Sequence, residues 1–189
     1  MATNPTPNGP EKITYQGKII EVVEQPMNVG EKNITFEFAR RSPGTRIIIA
    51  KDEKVLLSKE YRTEIHGYDY RLPGGKVFDT LEEYNSFLTT GGDIAEKARL
   101  AIIKEALEEV GIDVADVELF ALSKCGATVE WNLYYFVAKE FSETARRDSG
   151  EGEDITTMWV PIEEAKQMCL DGRIQEDRSA LMLLRFLNS

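Results

Sequence analysis

Three glutamates near the middle of the chain have the spacing to bind one cation together. Glu105, Glu108 and Glu109 stand at positions i, i+3 and i+4, which share one side of an α-helix. Carboxylates this close repel each other, and the helix dipole disfavours anions in a last turn, so a divalent cation would offset both costs. Mg²⁺ prefers oxygen ligands and keeps waters for a substrate phosphate, and Mn²⁺ accepts the same ligands. The alternative is an acidic helix face that only contacts solvent.

The segment around these glutamates carries its own start and stop signals. Asp93 is predicted to cap the N-terminus of the helix, and Glu96, three residues later, to complete a capping box with it. Gly111 stands where a left-handed residue ends a helix. Apolar residues at helical spacing predict a buried face formed by Leu100, Ile103, Leu107 and Val110.

Strands and further helices are predicted on both sides of this helix. β-Branched and aromatic residues alternate with polar ones in Ile13–Val23 and Asn33–Arg41, which predicts two strands. Arg46–Ala50, with isoleucines on consecutive positions, and Lys54–Tyr61 are predicted to be a further pair of strands joined by a turn. Later strands are predicted at Asp69–Leu72, Val117–Lys124, Trp131–Ala138 and Ile155–Val160. Helical patterns are predicted at Leu81–Leu88, Glu163–Leu170 and Arg178–Leu187. This order of elements indicates a mixed α/β layered domain.

Local composition divides the chain into three parts. Residues 1–11 are rich in Pro, Asn and Thr and are predicted to be a disordered tail. The run Ser42-Pro43-Gly44 interrupts the strand pattern and marks a boundary near residue 42. We therefore expect a small N-terminal antiparallel β unit at 12–42 and an α/β domain at 43–189.

Overall composition narrows the classes of function. With 189 residues and a net charge of −10, the chain can form a real core, but it lacks the basic character of a nucleic-acid-binding surface. It has no long apolar run or signal-peptide pattern, so we expect a cytoplasmic protein without a membrane partner. Neither Cys125, Cys169 nor His66 belongs to a metal-ligand pattern.

With the helix identified, the sequence resembles the Nudix family. Lys104–Ile112, KEALEEVGI, is similar to the end of the Nudix box, GX5EX7REUXEEXGU, in which U is aliphatic. Glu96 falls at the earlier glutamate of that pattern, and Pro73–Lys76, PGGK, is similar to the loop that opens it. The resemblance covers about residues 45–187 and implies a Nudix-like α/β/α sandwich with a mixed sheet.

Two positions depart from the family pattern. Thr90 stands six residues before Glu96, where the box glycine is expected. If Gly75 is that glycine, about fifteen extra residues near Phe78–Gly92 interrupt the loop. Lys104 replaces the usual arginine before the first metal-binding glutamate, which keeps the charge but loses the planar guanidinium fork.

The resemblance implies a hydrolase that uses Mg²⁺, with Mn²⁺ as a substitute. The metal ligands that it implies are Glu105, Glu108, Glu109 and the backbone carbonyl of Gly74, with Glu96 in support. Lys104 would steady the glutamates. A general base is also needed, and Glu153, or Glu151 as second choice, is predicted to supply it from a polar loop.

The substrate implied by the resemblance is a nucleoside diphosphate sugar or ADP-ribose. Arg62 and Arg71 are predicted to pair with its phosphates. Residues 151–155, EGEDI, are similar to a late acidic loop of the ADP-ribose and nucleotide-sugar pyrophosphatases. Residues 123–126, SKCG, together with Glu130, are similar to their Ser-Pro-Gly…Glu segment without its proline, which keeps nucleotide sugars open beside ADP-ribose.

The same group of enzymes implies a quaternary structure. Their extra N-terminal β unit helps to build a homodimer, and we expect the same of residues 12–42. The alternative to an enzyme is a Nudix-like binding or regulatory module, in which Lys104 and the interrupted loop have abolished turnover.

Overall fold

The computed structural model describes residues 4–63, 65–126, 128–144 and 155–189. The protein forms two compact units, which we call unit 1 and unit 2. Unit 1 comprises Met1–Pro43, Phe78–Gly92 and Lys124–Asn132, and unit 2 comprises Gly44–Val77, Asp93–Ser123 and Leu133–Ser189.

The elements of unit 1 are β1 (Thr6–Pro7), β2 (Lys12–Gln16), β3 (Glu21–Val29), β4 (Lys32–Arg40), α1 (Leu81–Thr90) and β10 (Val129–Glu130). Those of unit 2 are β5 (Gly44–Ile48), β6 (Ala50–Lys51), β7 (Lys54–Arg62), β8 (Gly67–Arg71), α2 (Ile94–Val110), β9 (Ile112–Ser123), β11 (Leu133–Glu143), β12 (Ile155–Pro161), α3 (Ile162–Leu170) and α4 (Asp177–Leu187).

The described strands of unit 1 form a five-stranded sheet in the order β1-β3-β4-β10, with β2 also paired to β3. The N-terminal segment, which the sequence predicts to be disordered, differs from that expectation because it contributes β1. The Asn8 amide donates to the carbonyl oxygen of Pro26 at 2.8 Å, and the Glu11 carboxylate lies 2.8 Å from the Arg40 guanidinium. Backbone pairing and an ion pair replace the apolar side chains that this segment lacks.

The insertion that interrupts the predicted loop belongs to unit 1. It forms α1, two residues longer than the predicted helix, and its aromatic rings cluster: Phe78 lies 5.3 Å from Tyr84 and 5.1 Å from Phe87 between ring centroids. The Asn85 side-chain amide donates to the fully buried Glu21 carboxylate at 2.9 Å. The insertion is therefore a packed helix that completes unit 1.

The described strands of unit 2 form two sheets, one in the order β5-β11-β9 and one in the order β12-β7-β6, with β8 also paired to β7. The predicted strand Arg46–Ala50 is divided between them. β5 pairs in parallel with β11, whereas β6 pairs with β7. The chain passes from one sheet to the other at Ile49, which is fully buried, so the prediction that Arg46–Ala50 pairs with the following strand was correct only for its last residues.

Helix α2 runs between the predicted caps, but of the face predicted to be buried only Val110 is buried. Its buried residues recur every fourth position: Ala98, Ile102, Ala106 and Val110. Leu100 and Leu107, which hydrophobicity placed in the core, are 52% and 43% exposed. The alanines allow α2 to lie close to β5 and β9, because a small side chain on this face permits a closer approach than leucine.

The remaining helices close unit 2 and are confirmed within one residue of their predicted starts. α4 contacts the β5-β11-β9 sheet through the Tyr135 and Ser179 hydroxyls, 3.3 Å apart, and through the rings of Phe120 and Phe186. The prediction of a mixed α/β fold with an antiparallel N-terminal unit is confirmed. In the described ranges, no helix is both long and apolar enough to cross a membrane.

Candidate active site

A short loop of unit 2, Pro73–Gly75, lies directly against strand β5. The Ile47 amide donates to the Pro73 carbonyl at 2.9 Å, and the Thr45 amide donates to the Gly75 carbonyl at 3.0 Å. Gly74 has φ +149°, and a Cβ at that position would overlap the carbonyl oxygen of Thr45. The glycine is therefore required by both the backbone conformation and the close approach of β5.

Two of the predicted metal ligands meet this loop. The Gly74 amide donates to Oε2 of Glu109 at 2.9 Å. The Glu105 carboxylate lies against Gly75, where a Cβ would overlap it. Because Glu105 and Glu109 are one helical turn apart on α2, the loop receives both carboxylates on the same side.

The other predicted carboxylates of α2 have different partners. Glu108 lies 3.4 Å from the Lys104 ammonium, and Glu96 is bound by the Arg99 guanidinium at 2.8 Å. Asp93 caps the helix by accepting from the Ala95 amide. Among the described residues no hydrogen bond joins Glu96 to Asp93, so the predicted capping box is not formed. Within the ranges that the structure describes, no group of three acidic, histidine or cysteine side chains is placed to hold a metal ion.

The surroundings of Glu109 disfavour its charged form. The pKa of Glu109 is raised from 4.5 to about 7, mainly by burial and also by the charges of Glu105 and Glu60. The Gly74 amide and the Arg46 guanidinium act in the opposite direction. Two adjacent carboxylates offer only oxygen ligands, which fit a hard divalent cation such as Mg²⁺.

Strands β7 and β8 present a charged face in the same unit. Their antiparallel register pairs Glu60 with Asp69 and Arg62 with Gly67, and Arg71 is two residues beyond Asp69. Since paired residues share a face and side chains alternate along a strand, these four charged side chains point to one side. We call Glu60, Arg62, Asp69 and Arg71 the charged face.

The charged face contains two ion pairs and lies within electrostatic reach of Glu109. Arg62 lies 2.8 Å from the Glu60 carboxylate, and Arg71 lies 2.6 Å from the Asp69 carboxylate. The charge of Glu60 acts on Glu109. The structure thus places both arginines predicted to bind substrate on one surface, together with Glu60, whose charge reaches Glu109.

Arg46 is a functional candidate that the sequence analysis missed. It is only 9% exposed on β5, and its guanidinium donates to the Thr45 carbonyl at 2.9 Å. Its Nε has no hydrogen-bond partner in the described ranges, although Glu176 is 3.9 Å away. The only signal in the sequence is one charged residue at the start of a run of isoleucines.

The remaining predicted site residues are Glu130, Glu151 and Glu153. Glu130 belongs to unit 1, where its carboxylate accepts from Nε of Arg40 at 3.0 Å. Glu151 and Glu153, predicted as general base, lie outside the residues that the structure describes.

Comparisons with known proteins bear on the family and the fold. The family model described as the NUDIX domain matches residues 40–182. The chain is similar to the GDP-mannose pyrophosphatase of Enterobacter sp. (strain 638), with 30% identity over 178 residues that cover 82% of this chain and 86% of that protein. It is also similar to the GDP-mannose pyrophosphatase of Escherichia coli O1:K1 / APEC, with 28% identity over 173 residues that cover 80% and 84% of the two chains.

A solved structure gives the same result for the fold. The crystal structure of an ADP compounds hydrolase has a TM-score of 0.70 at 17% identity and covers 99% of this chain and 93% of that chain. The chain therefore belongs to the Nudix family. The predicted resemblance is confirmed, and the protein is a Nudix hydrolase with the fold of that family.

Gly75→Ala tests the contact between the loop and Glu105. The added Cβ would overlap the end of a flexible side chain, so the fold is expected to persist while Glu105 leaves the loop. We expect the affinity for Mn²⁺, measured by calorimetry, to fall at least roughly tenfold with little change in melting temperature. Gly67→Ala is the matched control, because its nearest non-neighbouring atom is 3.7 Å from the new Cβ. Equal affinities in the two variants would contradict the assignment.

Glu109 predicts a pH dependence for the stability of the metal-free protein. Its pKa in the folded protein, about 7, lies above the ordinary value of 4.5, so the folded state holds a proton that the unfolded chain has lost. The free energy of unfolding is expected to fall as the pH rises from about 5 to about 7, by up to about 3 kcal/mol. Denaturation in EDTA should show this loss as a difference between wild type and Glu109→Gln, and parallel curves would refute it.

Proposed function

We propose that this Nudix hydrolase is a Mg²⁺-dependent pyrophosphatase that splits nucleoside diphosphate sugars into a nucleoside monophosphate and a sugar phosphate. The observation that carries the proposal is the pair of carboxylates, Glu105 and Glu109, held against the Pro73–Gly75 loop. The names of the relatives support the substrate class, since both are GDP-mannose pyrophosphatases.

The metal site is proposed on the residues that meet the loop. Glu105, Glu109 and the backbone carbonyl of Gly74 would hold Mg²⁺, and Mn²⁺ would substitute. When bound, such an ion neutralises charge on the pyrophosphate oxygens and lowers the pKa of an attacking water. Glu108 would become a metal ligand only if its ion pair with Lys104 were broken, and Glu96 only if its hydrogen bonds with Arg99 were broken.

The remaining roles fall to residues around the metal site. Arg62 and Arg71 on the charged face would bind the phosphates, because guanidinium groups form paired hydrogen bonds with phosphate oxygens. Lys104, exposed beside Glu108, would keep that carboxylate from repelling its neighbours. Glu153 stays our prediction for the general base, with Glu151 second and Glu130 as a substrate contact.

A substrate panel tests the reaction. ADP-ribose, GDP-mannose, ADP-glucose, UDP-glucose and coenzyme A would be incubated at fixed Mg²⁺ and the products separated by chromatography. We expect cleavage of nucleotide sugars, with ADP-ribose as the main competitor. Glu109→Gln should lower kcat/KM roughly a thousandfold or more, because charge stabilisation by the metal is worth several kcal/mol.

Glu118→Gln is the matched control for that variant, since Glu118 is an exposed glutamate of unit 2 paired with Lys139. Its activity should equal that of wild type. Absence of turnover on every compound, with Mg²⁺ or Mn²⁺, would refute the enzyme and favour the binding module.

We further propose a homodimer formed through unit 1. Ile13, Ile34 and Phe36 are 46%, 38% and 42% exposed. Ile13 of β2 and Phe38 of β4 both pair with Val23 of β3, so their side chains share one face of the sheet. Side chains alternate along β4, so Phe36 and Ile34 point to the same face as Phe38. An exposed apolar face on a sheet favours association with another chain, and the same face of a second copy is the partner that fits it best.

Light scattering tests the dimer. Phe36→Glu should halve the mass in solution, because a charge cannot be buried in an apolar interface at low cost. Thr35→Glu adds the same charge to the opposite face of β4 and should leave the mass unchanged. A monomeric wild type, or equal behaviour of the two variants, would exclude this interface.

A further inference from the structure

We propose that Asp69 is a positioning residue for the substrate: it holds Arg71 so that the outer edge of the guanidinium binds a phosphate. The inference rests on the proposed function for the identity of that phosphate and adds a residue to the binding machinery. Nothing in the sequence pattern of the glutamate helix or its loop points to Asp69.

The contact between the two side chains fixes the direction of the guanidinium. Nε of Arg71 donates to Oδ2 of Asp69 at 2.6 Å, and Asp69 is only 1% exposed. In the described ranges, the structure gives the Arg71 guanidinium no second hydrogen bond or ion pair. Its two terminal nitrogens therefore keep their donors available, and 19% of the side chain is exposed to a ligand.

Asp69 is itself prevented from turning. Its other oxygen, Oδ1, accepts from the Gln175 backbone amide at 3.1 Å, in the segment before α4. Each oxygen of the carboxylate thus has its own donor, one from the side chain that it orients and one from backbone. A buried carboxylate with both oxygens engaged is a rigid support for the arginine.

The position of the pair favours a phosphate as the ligand. β8 ends at Arg71 and is followed, after Leu72, by the Pro73–Gly75 loop that meets the two glutamates. Arg62, the other arginine of the charged face, forms an ion pair with the Glu60 carboxylate at 2.8 Å. Two arginines, each held by a carboxylate on its own strand, present planar donor groups beside the site where the pyrophosphate would be cleaved.

The chain offers a matched pair for comparison. Asp171 and Arg173 have the same spacing of two residues, and Nε of Arg173 donates to Asp171 at 3.1 Å. This pair lies on the surface after α3, where the arginine side chain is 40% exposed and also contacts Glu164. It therefore reproduces the chemistry of the Asp69–Arg71 pair at a site unrelated to the loop.

A double-mutant cycle tests the inference. Asp69→Asn, Arg71→Met and the double variant would be compared for KM and kcat on the nucleotide sugar that wild type cleaves best. Calorimetry with ADP, and separately with GDP, in the presence of Mg²⁺ gives the affinity for a diphosphate without turnover. We expect either single variant to raise KM and weaken diphosphate binding about tenfold, with kcat changed less than about threefold.

The cycle separates positioning from a purely structural role. The double variant should bind no more weakly than Arg71→Met, because Asp69 acts only through Arg71. Asp171→Asn and Arg173→Met should match wild type. A lower melting temperature of Asp69→Asn with unchanged KM would overturn the proposal, as would a loss of affinity from Asp69→Asn that persists in the Arg71→Met background.

Two further outcomes separate this inference from the proposed function. If Asp69→Asn does not fold, Arg71→Lys takes its place in the test, because lysine keeps the charge but lacks the planar guanidinium fork. Unchanged diphosphate affinity in both Arg71→Lys and Arg71→Met would overturn the proposal. If wild type cleaves no nucleotide sugar but the cycle still appears in ADP or GDP binding, the proposed function fails and the role of Asp69 stands. Wild type that binds neither diphosphate would overturn the inference.

Discussion

A carboxylate held against a backbone amide away from bulk water is the constraint on which unit 2 depends. The Glu109 carboxylate accepts from the Gly74 amide, and this contact requires the loop to lie within hydrogen-bond distance of α2. The loop can reach that place only because β5 donates two amides to it and because residue 74 is glycine. Helix α2 can reach it because its buried face is built on alanines. Packing, backbone conformation and electrostatics therefore converge on one hydrogen bond.

Much of this arrangement is readable from the sequence, because its signals are local. The caps Asp93 and Gly111 bound α2, and the spacing of Glu105 and Glu109 places them one turn apart. What was misread depends on distant parts of the chain. The buried face of α2 is set by how closely the sheet approaches, so Ala106 is buried and Leu107 is not. Hydrophobicity alone ranks those two residues in the opposite order.

The charged residues around the site also depend on contacts that the local sequence does not reveal. Arg62 and Arg71, which were predicted to pair with the substrate phosphates, lie on one face of strands β7 and β8. Their carboxylate partners follow from the register of β7 with β8, which no local pattern specifies. Arg46 is hidden in the sequence for a different reason. It stands at the start of a predicted strand, where nothing in the sequence indicates that its side chain is buried.

Unit 1 is built from three separate segments of the chain, and this has a consequence for the order in which the protein folds during synthesis. Its sheet is closed on one side by β10, which pairs with β4, and its buried Glu21 is bound by Asn85 of α1. The contact of Arg40 with Glu130 likewise joins two residues that are ninety positions apart in the chain. Contacts so distant in sequence form late, since the intervening chain must first be synthesised and its ends brought together. Unit 1 contains the first strand of the protein, yet it can be complete only after residue 132 has left the ribosome.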